Sequence, residues 1–437
     1  MSALPAATDH PRSVAIIGSG IAGLAVADTL HRTESITVYE AADWVGGHTN
    51  TVEVDDGARS VAIDTGFIVC NDWTYPNFLA LLDRLGVATQ PSDMSFSLQH
   101  EVTGLEYSGS SLATLFAQRR NLLSPSFLRM LADIVRFNRD ARRWLAAGGG
   151  EETLGEWLAA RGFGVGLSEH YLVPMGRSIW SASAAAVLGF PARFFIQFFA
   201  QHGLMSVTHR PTWRTVCGGS REYVRALTRP FRARIRLATP VVAVRRLAHA
   251  VAVRTGDGAE RMYDAVVFAC HADTALALLS DPSGSERELL GCFPFQKNDA
   301  VLHTDTRLLP RRPRARAAWN YHVRREPQDG CAITYDMNVL QSLTTRRRYL
   351  VSLNLADRID PGSVLAQIEY QHPVHTPRGV AAQKRHAEIS GPRRTFYCGA
   401  YWGNGFHEDG VVSALAVLEQ FASWRQEHAE RALSRLG

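Results

Sequence analysis

Hydrophobic positions along this chain change period several times, and each change predicts a different element. From Val14 to Leu30 the order VAIIGSGIAGLAVADTL gives a continuous apolar run, a glycine turn and an alanine-rich stretch of period near 3.6, predicting strand, turn and helix. Ile36 to Glu40 (ITVYE) predicts a second strand that stops at an acid. Together they form a β-α-β unit, the opening of a doubly wound sheet. From about Ser110 to Ala147 the pattern is helical, with arginines on the polar side, until Gly148-Gly149-Gly150 breaks it. A further helical stretch collects Phe190, Phe194, Phe195, Phe198 and Phe199 on one side, predicting an inserted cap. Strand character returns from Ile235 to Ala269, with Gly256-Asp257-Gly258 as a hairpin turn. After a mixed segment to about Ile389, TFYCGA (Thr395 to Ala400) leads through glycines into a helix beginning near Gly410.

No repeat or low-complexity linker separates these parts, so two domains are expected to interleave. The doubly wound α/β domain is expected from 1–100, 213–280 and 391–437. An α+β substrate domain is expected from 101–212, its helical cap, and 281–390, its mixed sheet.

Composition narrows the class. The 437 residues are 46% hydrophobic and 20% charged, the balance of a globular protein with a large core. No run reaches the roughly 18 apolar residues of a membrane span, and Met1 to Ser13 has no signal pattern. Cytoplasmic residence is the expectation, with peripheral contact at the inner membrane as an open alternative. The net charge of +5 is carried almost wholly by arginine, lysine standing only at 297 and 384. That excess alone does not choose among nucleic acid, membrane surface and solvent, and nucleic acid is not an expected partner. Arg311-Arg312-Pro313-Arg314 and Arg346-Arg347-Arg348 read either as solvated faces or as contacts to anionic lipid. The six cysteines stand singly, no histidine spacing suits a metal, and no Ser-His-Asp set or carboxylate pair suggests hydrolysis. A metal is not expected.

Gly18-Ser19-Gly20-Ile21-Ala22-Gly23 matches G-x-G-x-x-G in its required setting, strand before and helix after. Gly18 permits the tight turn, Gly20 lets the backbone approach a pyrophosphate, and Gly23 lets helix and strand pack closely. The phosphates then sit on a helix N-terminus, where free N–H groups and the macrodipole favour anions. Glu40, twenty residues after Gly20, is placed to accept hydrogen bonds from both ribose hydroxyls and would repel a 2′-phosphate. These features predict a dinucleotide. Gly46-Gly47-His48, six residues after Glu40, let a second loop approach the same cofactor.

With that glycine doublet the chain resembles the flavin amine oxidase and phytoene desaturase superfamily. The resemblance implies a glutathione-reductase-like, Rossmann-type FAD-binding domain of the amine-oxidase kind, and FAD as the non-covalent cofactor. RTVCGGSREYVRAL (Arg214 to Leu227) is similar to the family's glycine-pair turn before a helix, and the strand at Pro240-Val241-Val242 to the one whose backbone meets adenine. Gly399, Asp409, Gly410 and Val411 lie in segments similar to the final flavin motif, where a helix N-terminus faces the flavin N1–C2=O edge and would stabilise the negative charge of the reduced ring. Ala41, Thr65 and Gly66 are further cofactor contacts the resemblance implies. More narrowly, HTNTVEV, DTGFIVCN, YLVPMGRSIWS, FPARFFIQFFAQHGL and CGAYWGNGFHEDGVVSALAV resemble a bacterial branch found beside cyclopropane-fatty-acid synthases. That implies an acyl-chain substrate and a methyltransferase of that kind as partner.

In such enzymes the flavin does the hard chemistry and the protein supplies position and electrostatics. Phe406 falls where amine oxidases place a cage tyrosine, either as a substrate wall or as core. Trp402 and His407 share its loop, His407 as a proton acceptor or as a structural histidine. Lys297 resembles the lysine that amine oxidases hold through water to flavin N5. Trp319-Asn320-Tyr321 and Tyr335-Asp336-Met337-Asn338 are a substrate lining or satisfied core polar groups. The expected activity is hydride abstraction from a hydrophobic, acyl-type substrate to form a double bond. Fatty-acid double-bond isomerisation, carotenoid desaturation and amine oxidation are the enzyme alternatives. A flavin-stabilised protein presenting lipid to a methyltransferase is the non-enzymatic one.

Overall fold

The computed structural model describes residues 11–57, 59–206, 208–326 and 330–433. Met1–His10, on which the expectation about secretion partly rests, lies outside the described residues. The chain divides into two compact units, one of Met1–Thr49, Tyr223–Pro294 and Arg378–Gly437, the other of Asn50–Glu222 and Phe295–Pro377.

The first unit is built on a five-stranded parallel sheet in the order Ile235–Arg236, Ser35–Tyr39, Ser13–Ile17, Ala265–Phe268, Thr395–Tyr397. Its central strands are apolar on both faces because both faces are covered: Val14, Ala15, Ile16, Val266 and Val267 are fully buried. The helices Ile21–Leu30 and His407–Leu433 pack on one another. A smaller antiparallel sheet, Val241–Arg246, Val251–Thr255 and Glu260–Tyr263, carries the expected hairpin. Its turn is held by the Asp257 carboxylate, which accepts from the Thr255 hydroxyl at 2.6 Å and the Ala259 amide at 3.1 Å.

The second unit contains a seven-stranded mixed sheet in which Phe96–His100 runs parallel to Trp319–Val323. The helix Pro125–Ala146 packs Phe127 and Met130 into a core with Leu98, Tyr107, Tyr321 and Ile333 of that sheet. The phenylalanine-rich helix is Ala192–Gln201. Phe195, Phe198 and Phe199 are buried in it, with the Phe195 and Phe199 rings stacked at 4.3 Å and Trp180 at 4.6 Å from Phe198. Those rings are core of the second unit.

The interleaving follows the expected alternation, but its boundaries differ. The first part of the nucleotide domain ends at Thr49 and not at 100, because Cys70–Asn71 and Thr89–Pro91 pair with Trp213–Val216 and Phe96–His100 pairs with Trp319–Val323. Those ladders carry 50–100 and 213–222 into the second unit. Residues 281–294 and 378–390 go to the first instead: Gln383 donates to the Tyr401 carbonyl at 3.0 Å, and His386 bonds the Tyr397 carbonyl at 2.6 Å.

Candidate cofactor site

Three stretches of the first unit meet at the carboxyl ends of its central strands. The Gly18 amide donates to the Tyr39 carbonyl at 2.8 Å and the Glu40 amide to the Arg236 carbonyl at 2.9 Å, so the ladders continue into both loops and fix them. Gly18 has φ of +107°, and a side chain there would strike the Ala269 carbonyl at 2.7 Å. A β-carbon on Gly23 would lie 2.1 Å from the Gly18 carbonyl oxygen. One on Gly20 would meet no protein atom within 4 Å. The space over Gly20 is therefore open on the side where a pyrophosphate would approach. No side chain caps the helix Ile21–Leu30, so the amides of its first turn are left for an anion.

Glu40 ties the glycine turn down. Its Oε2 accepts from the Ser19 amide at 2.9 Å and the Ser19 hydroxyl at 2.6 Å, and its Oε1 accepts from the Ala42 amide at 2.9 Å. An ionised carboxylate has room for about four donors, so a ribose hydroxyl can still be received. Exposed Ala41 lies between these partners. The Ser19 hydroxyl accepts from the Gly46 amide at 3.3 Å, and the position of a Gly47 β-carbon is 3.2 Å from Gly20 Cα. The two glycine loops therefore touch. His48 follows, its ring 6.2 Å from that of His271. Val242 lies outside the ladder register, between the pairs Val241–Thr255 and Ala243–Arg254, at a bulge on an edge strand. The bulge takes it out of the regular ladder.

The third stretch is the start of the helix His407–Leu433. A β-carbon on Gly410 would be 2.8 Å from Ile21, so the N-termini of the two helices lie side by side. Val411 is buried there, and the Gly399 amide donates to the Ser413 hydroxyl at 2.9 Å. Asp409 accepts from the Phe406 amide at 2.9 Å, and burial pushes its carboxyl up to about 6. The loop ahead of the helix is aromatic: Trp402 stands 5.0 Å from Phe293 and 4.5 Å from His386, and Phe406 is half-buried.

His407 is buried in a hydrogen-bonded cluster behind the loop. Its Nε2 lies 2.9 Å from the Thr49 hydroxyl and 3.0 Å from the Tyr223 hydroxyl, and those two hydroxyls bond each other. Burial pushes the imidazole down to about 3, so it is neutral near pH 7.

The remaining expected site residues belong to the second unit. Lys297 is on the strand Phe295–His303 with a side chain 70% exposed, paired with Glu369 at 3.1 Å. An ammonium in solvent has no buried water to hold, so the resemblance to the flavin-facing lysine fails at this position. The Thr65 hydroxyl donates to the Asn50 carbonyl at 3.0 Å and bonds the Tyr370 hydroxyl at 2.8 Å, with half-buried Gly66 next to it. Asn320 donates to the Ala317 and Thr334 carbonyls and accepts from the Ala317 amide, which makes it a satisfied core group.

Asp64 was not among the expected residues. It is wholly buried and accepts from the Thr51 hydroxyl at 2.6 Å, the Ser220 hydroxyl at 2.7 Å and amide at 2.9 Å, and Gln341 Nε2 at 3.2 Å. Burial outweighs these donors and pushes its carboxyl up to about 6. The available signal was an acid closing the apolar strand Ser60–Asp64. Tyr223 carried no sequence signal of its own.

Residues 21–323, 303 of the 437, match the profile of the flavin containing amine oxidoreductases. Among solved structures, cyclohexylamine oxidase from Brevibacterium oxydans IH-35A superposes with a TM-score of 0.67 at 17% identity, covering 94% of this chain and 100% of that one. A fatty acid isomerase from P. acnes that produces CLA gives 0.66 at 17% identity, over 95% and 99%. A putrescine oxidase double mutant gives 0.63 at 16% identity, over 94% and 99%. No curated protein sequence matches the chain.

Proposed function

The chain belongs to the flavin containing amine oxidoreductase family and is an FAD-dependent oxidoreductase, and from that premise we propose that a hydrophobic substrate, a fatty-acyl chain or a modified one, loses a hydride from one carbon to FAD and a proton from the neighbouring carbon to solvent, leaving a double bond. Bound FAD supplies the hydride acceptor. The residues present suit that group. Gly20 leaves room for a pyrophosphate over an uncapped helix N-terminus, Glu40 would receive the ribose, and the Val242 bulge lies on an edge strand that adenine could meet.

The observation that supports a hydrocarbon is the loop before the last helix. Trp402 and Phe406 present aromatic carbon, and the titratable ring beside them, His407, is turned inward and neutral. Phenylalanine keeps an apolar wall where the amine oxidase pattern expects a hydroxyl. An acyl chain loses no hydrogen bond against such a wall, whereas an ammonium or amine would lose its solvation. A cyclopropane-fatty-acid-synthase-like methyltransferase, as supplier of the modified chain, belongs to the same proposal.

Redox-neutral double-bond isomerisation is the second reading, supported by the shared fold of the fatty acid isomerase. Anaerobic mixing of the FAD-loaded protein with phospholipid extract, free fatty acids or amines separates the readings. Desaturation predicts loss of the oxidised flavin's visible absorbance with lipid and a product lighter by two hydrogens. A product of unchanged mass with a moved double bond supports isomerisation. Bleaching by amines alone refutes both.

A further inference from the structure

One face of the second unit exposes apolar side chains that its own fold does not use. The helix Pro125–Ala146 turns Phe127, Met130, Phe137 and Ala141 inward. Pro125, Leu128, Ala132 and Val135 recur at three- and four-residue steps on the opposite side, and all four are exposed, Val135 at 71%. This helix is therefore apolar on two faces over its first three turns. The preceding turn Arg119–Leu123 adds Leu122 and Leu123, the latter 87% exposed, and the short helix Leu112–Leu115 adds Leu112 at 76%. Solitary exposed leucines need no explanation, but a run of them along three successive elements does.

The polar groups around this face carry one sign. Arg119, Arg120 and Arg129 are exposed among the leucines. From Tyr107 to Ala132 the sequence contains no acidic residue. The turn Pro313–Ala315 packs against Leu112–Leu115 and brings Arg311, Arg312 and Arg314, all exposed. Nearby carboxylates are used internally. Glu106 is buried and accepts from the Arg311 and Arg312 amides at 3.1 and 3.0 Å, and Asp133 is buried against Arg136 at 3.0 Å. Glu101 accepts from the Arg325 amide at 3.1 Å.

We propose that this face docks the protein on a bilayer surface bearing anionic headgroups, with the leucines entering the acyl boundary and the arginines meeting the phosphates. Apolar residues at the tips of turns, flanked by arginine, have the composition of an interfacial anchor. A symmetric contact with a second copy would bring arginines against arginines, which disfavours that occupant. The inference uses residues outside the cofactor site and stands apart from the identity of the substrate.

The test is co-sedimentation of the full-length, FAD-loaded protein with vesicles of phosphatidylcholine alone or mixed with phosphatidylglycerol. Binding to the mixed vesicles that falls as salt rises is expected, with little binding to phosphatidylcholine. Leu122→Ser with Leu123→Ser should weaken binding by about tenfold or more, and Arg119→Gln with Arg120→Gln and Arg129→Gln by on the order of a hundredfold. Both variants change exposed side chains; Arg120 also donates to the Gly104 carbonyl at 2.9 Å and Arg129 lies 3.9 Å from Asp133, so the flavin spectrum should stay as in the parent and the melting temperature fall by at most a few degrees. Equal binding to both vesicles, or binding untouched by either variant, overturns the proposal. So does a dimer that Leu123→Ser dissociates while vesicles are ignored.

Discussion

Two glycines three residues apart should respond to alanine in opposite ways. At Gly23 the new β-carbon would sit 2.1 Å from the Gly18 carbonyl oxygen and 3.0 Å from Ala269 Cβ, so the helix must move off the strand by about 1 Å. Overpacking of that kind costs about 1–3 kcal/mol, and it should lower the melting temperature of the apoprotein by several degrees. At Gly20 the backbone is ordinary, φ −68° and ψ 176°, and no protein atom lies within 4 Å. The weaker N-cap preference of alanine is offset by its smaller entropy loss, so apoprotein stability should change by less than about 0.5 kcal/mol. FAD would feel the methyl group instead. Pushing the pyrophosphate off the first-turn amides loses charge-assisted hydrogen bonds of about 1.5–3 kcal/mol, roughly a tenfold to hundredfold weakening. Linkage makes this visible in thermal scans. With FAD at 100 times the parent Kd, the cofactor stabilises the parent by about 2.7 kcal/mol, and a hundredfold weaker variant by only about 0.4 kcal/mol. Scans with and without FAD, together with a titration of flavin fluorescence, measure both effects. A Gly20→Ala apoprotein as unstable as Gly23→Ala, or one that keeps parental FAD affinity, would refute the assignment of Gly20 to the cofactor.

Glu40→Gln should weaken FAD binding by about tenfold or more, because a neutral amide loses the charge-assisted bonds to Ser19 and a ribose hydroxyl; equilibrium titration measures it. Asp64 has a folded value of about 6 against an ordinary 3.8, so the stability it contributes is complete below about pH 4 and is lost as pH rises through 6. That loss is about 3 kcal/mol, and Asp64→Asn should flatten it in denaturant titrations at pH 4 and pH 7; an unchanged slope would show that another group titrates. Lys297→Ala breaks an exposed ion pair worth about 0–1 kcal/mol and should leave the rate of flavin reduction within twofold, so a fall beyond about tenfold in stopped-flow reduction would return Lys297 to the flavin. His407→Phe leaves the Thr49 and Tyr223 hydroxyls without their buried partner and should cost about 1–3 kcal/mol in chemical denaturation. Flavin reduction between pH 5 and pH 8 should show no ionisation that this substitution removes.

Local signals carried the cofactor half of the molecule. A strand, a glycine turn, a helix and an acid lie within 28 consecutive residues, from Ser13 to Glu40, and each obeys steric or electrostatic rules that short sequence spans reveal. The second glycine loop and the aromatic loop ahead of the last helix were visible for the same reason. Tertiary structure decided what depends on distant partners. The domain boundary moved to Thr49 because strands near residue 70, 90 and 96 found ladders more than a hundred residues away. His407 has Thr49 and Tyr223 as buried partners, and Lys297 is turned to solvent beside Glu369, neither of which its own stretch of sequence could show. Asp64 emerged as a buried hub through Ser220 and Gln341, 156 and 277 residues away. Burial sets ionisation and exposure sets what a side chain can meet, and both are properties of the assembled neighbourhood that no local stretch of sequence contains.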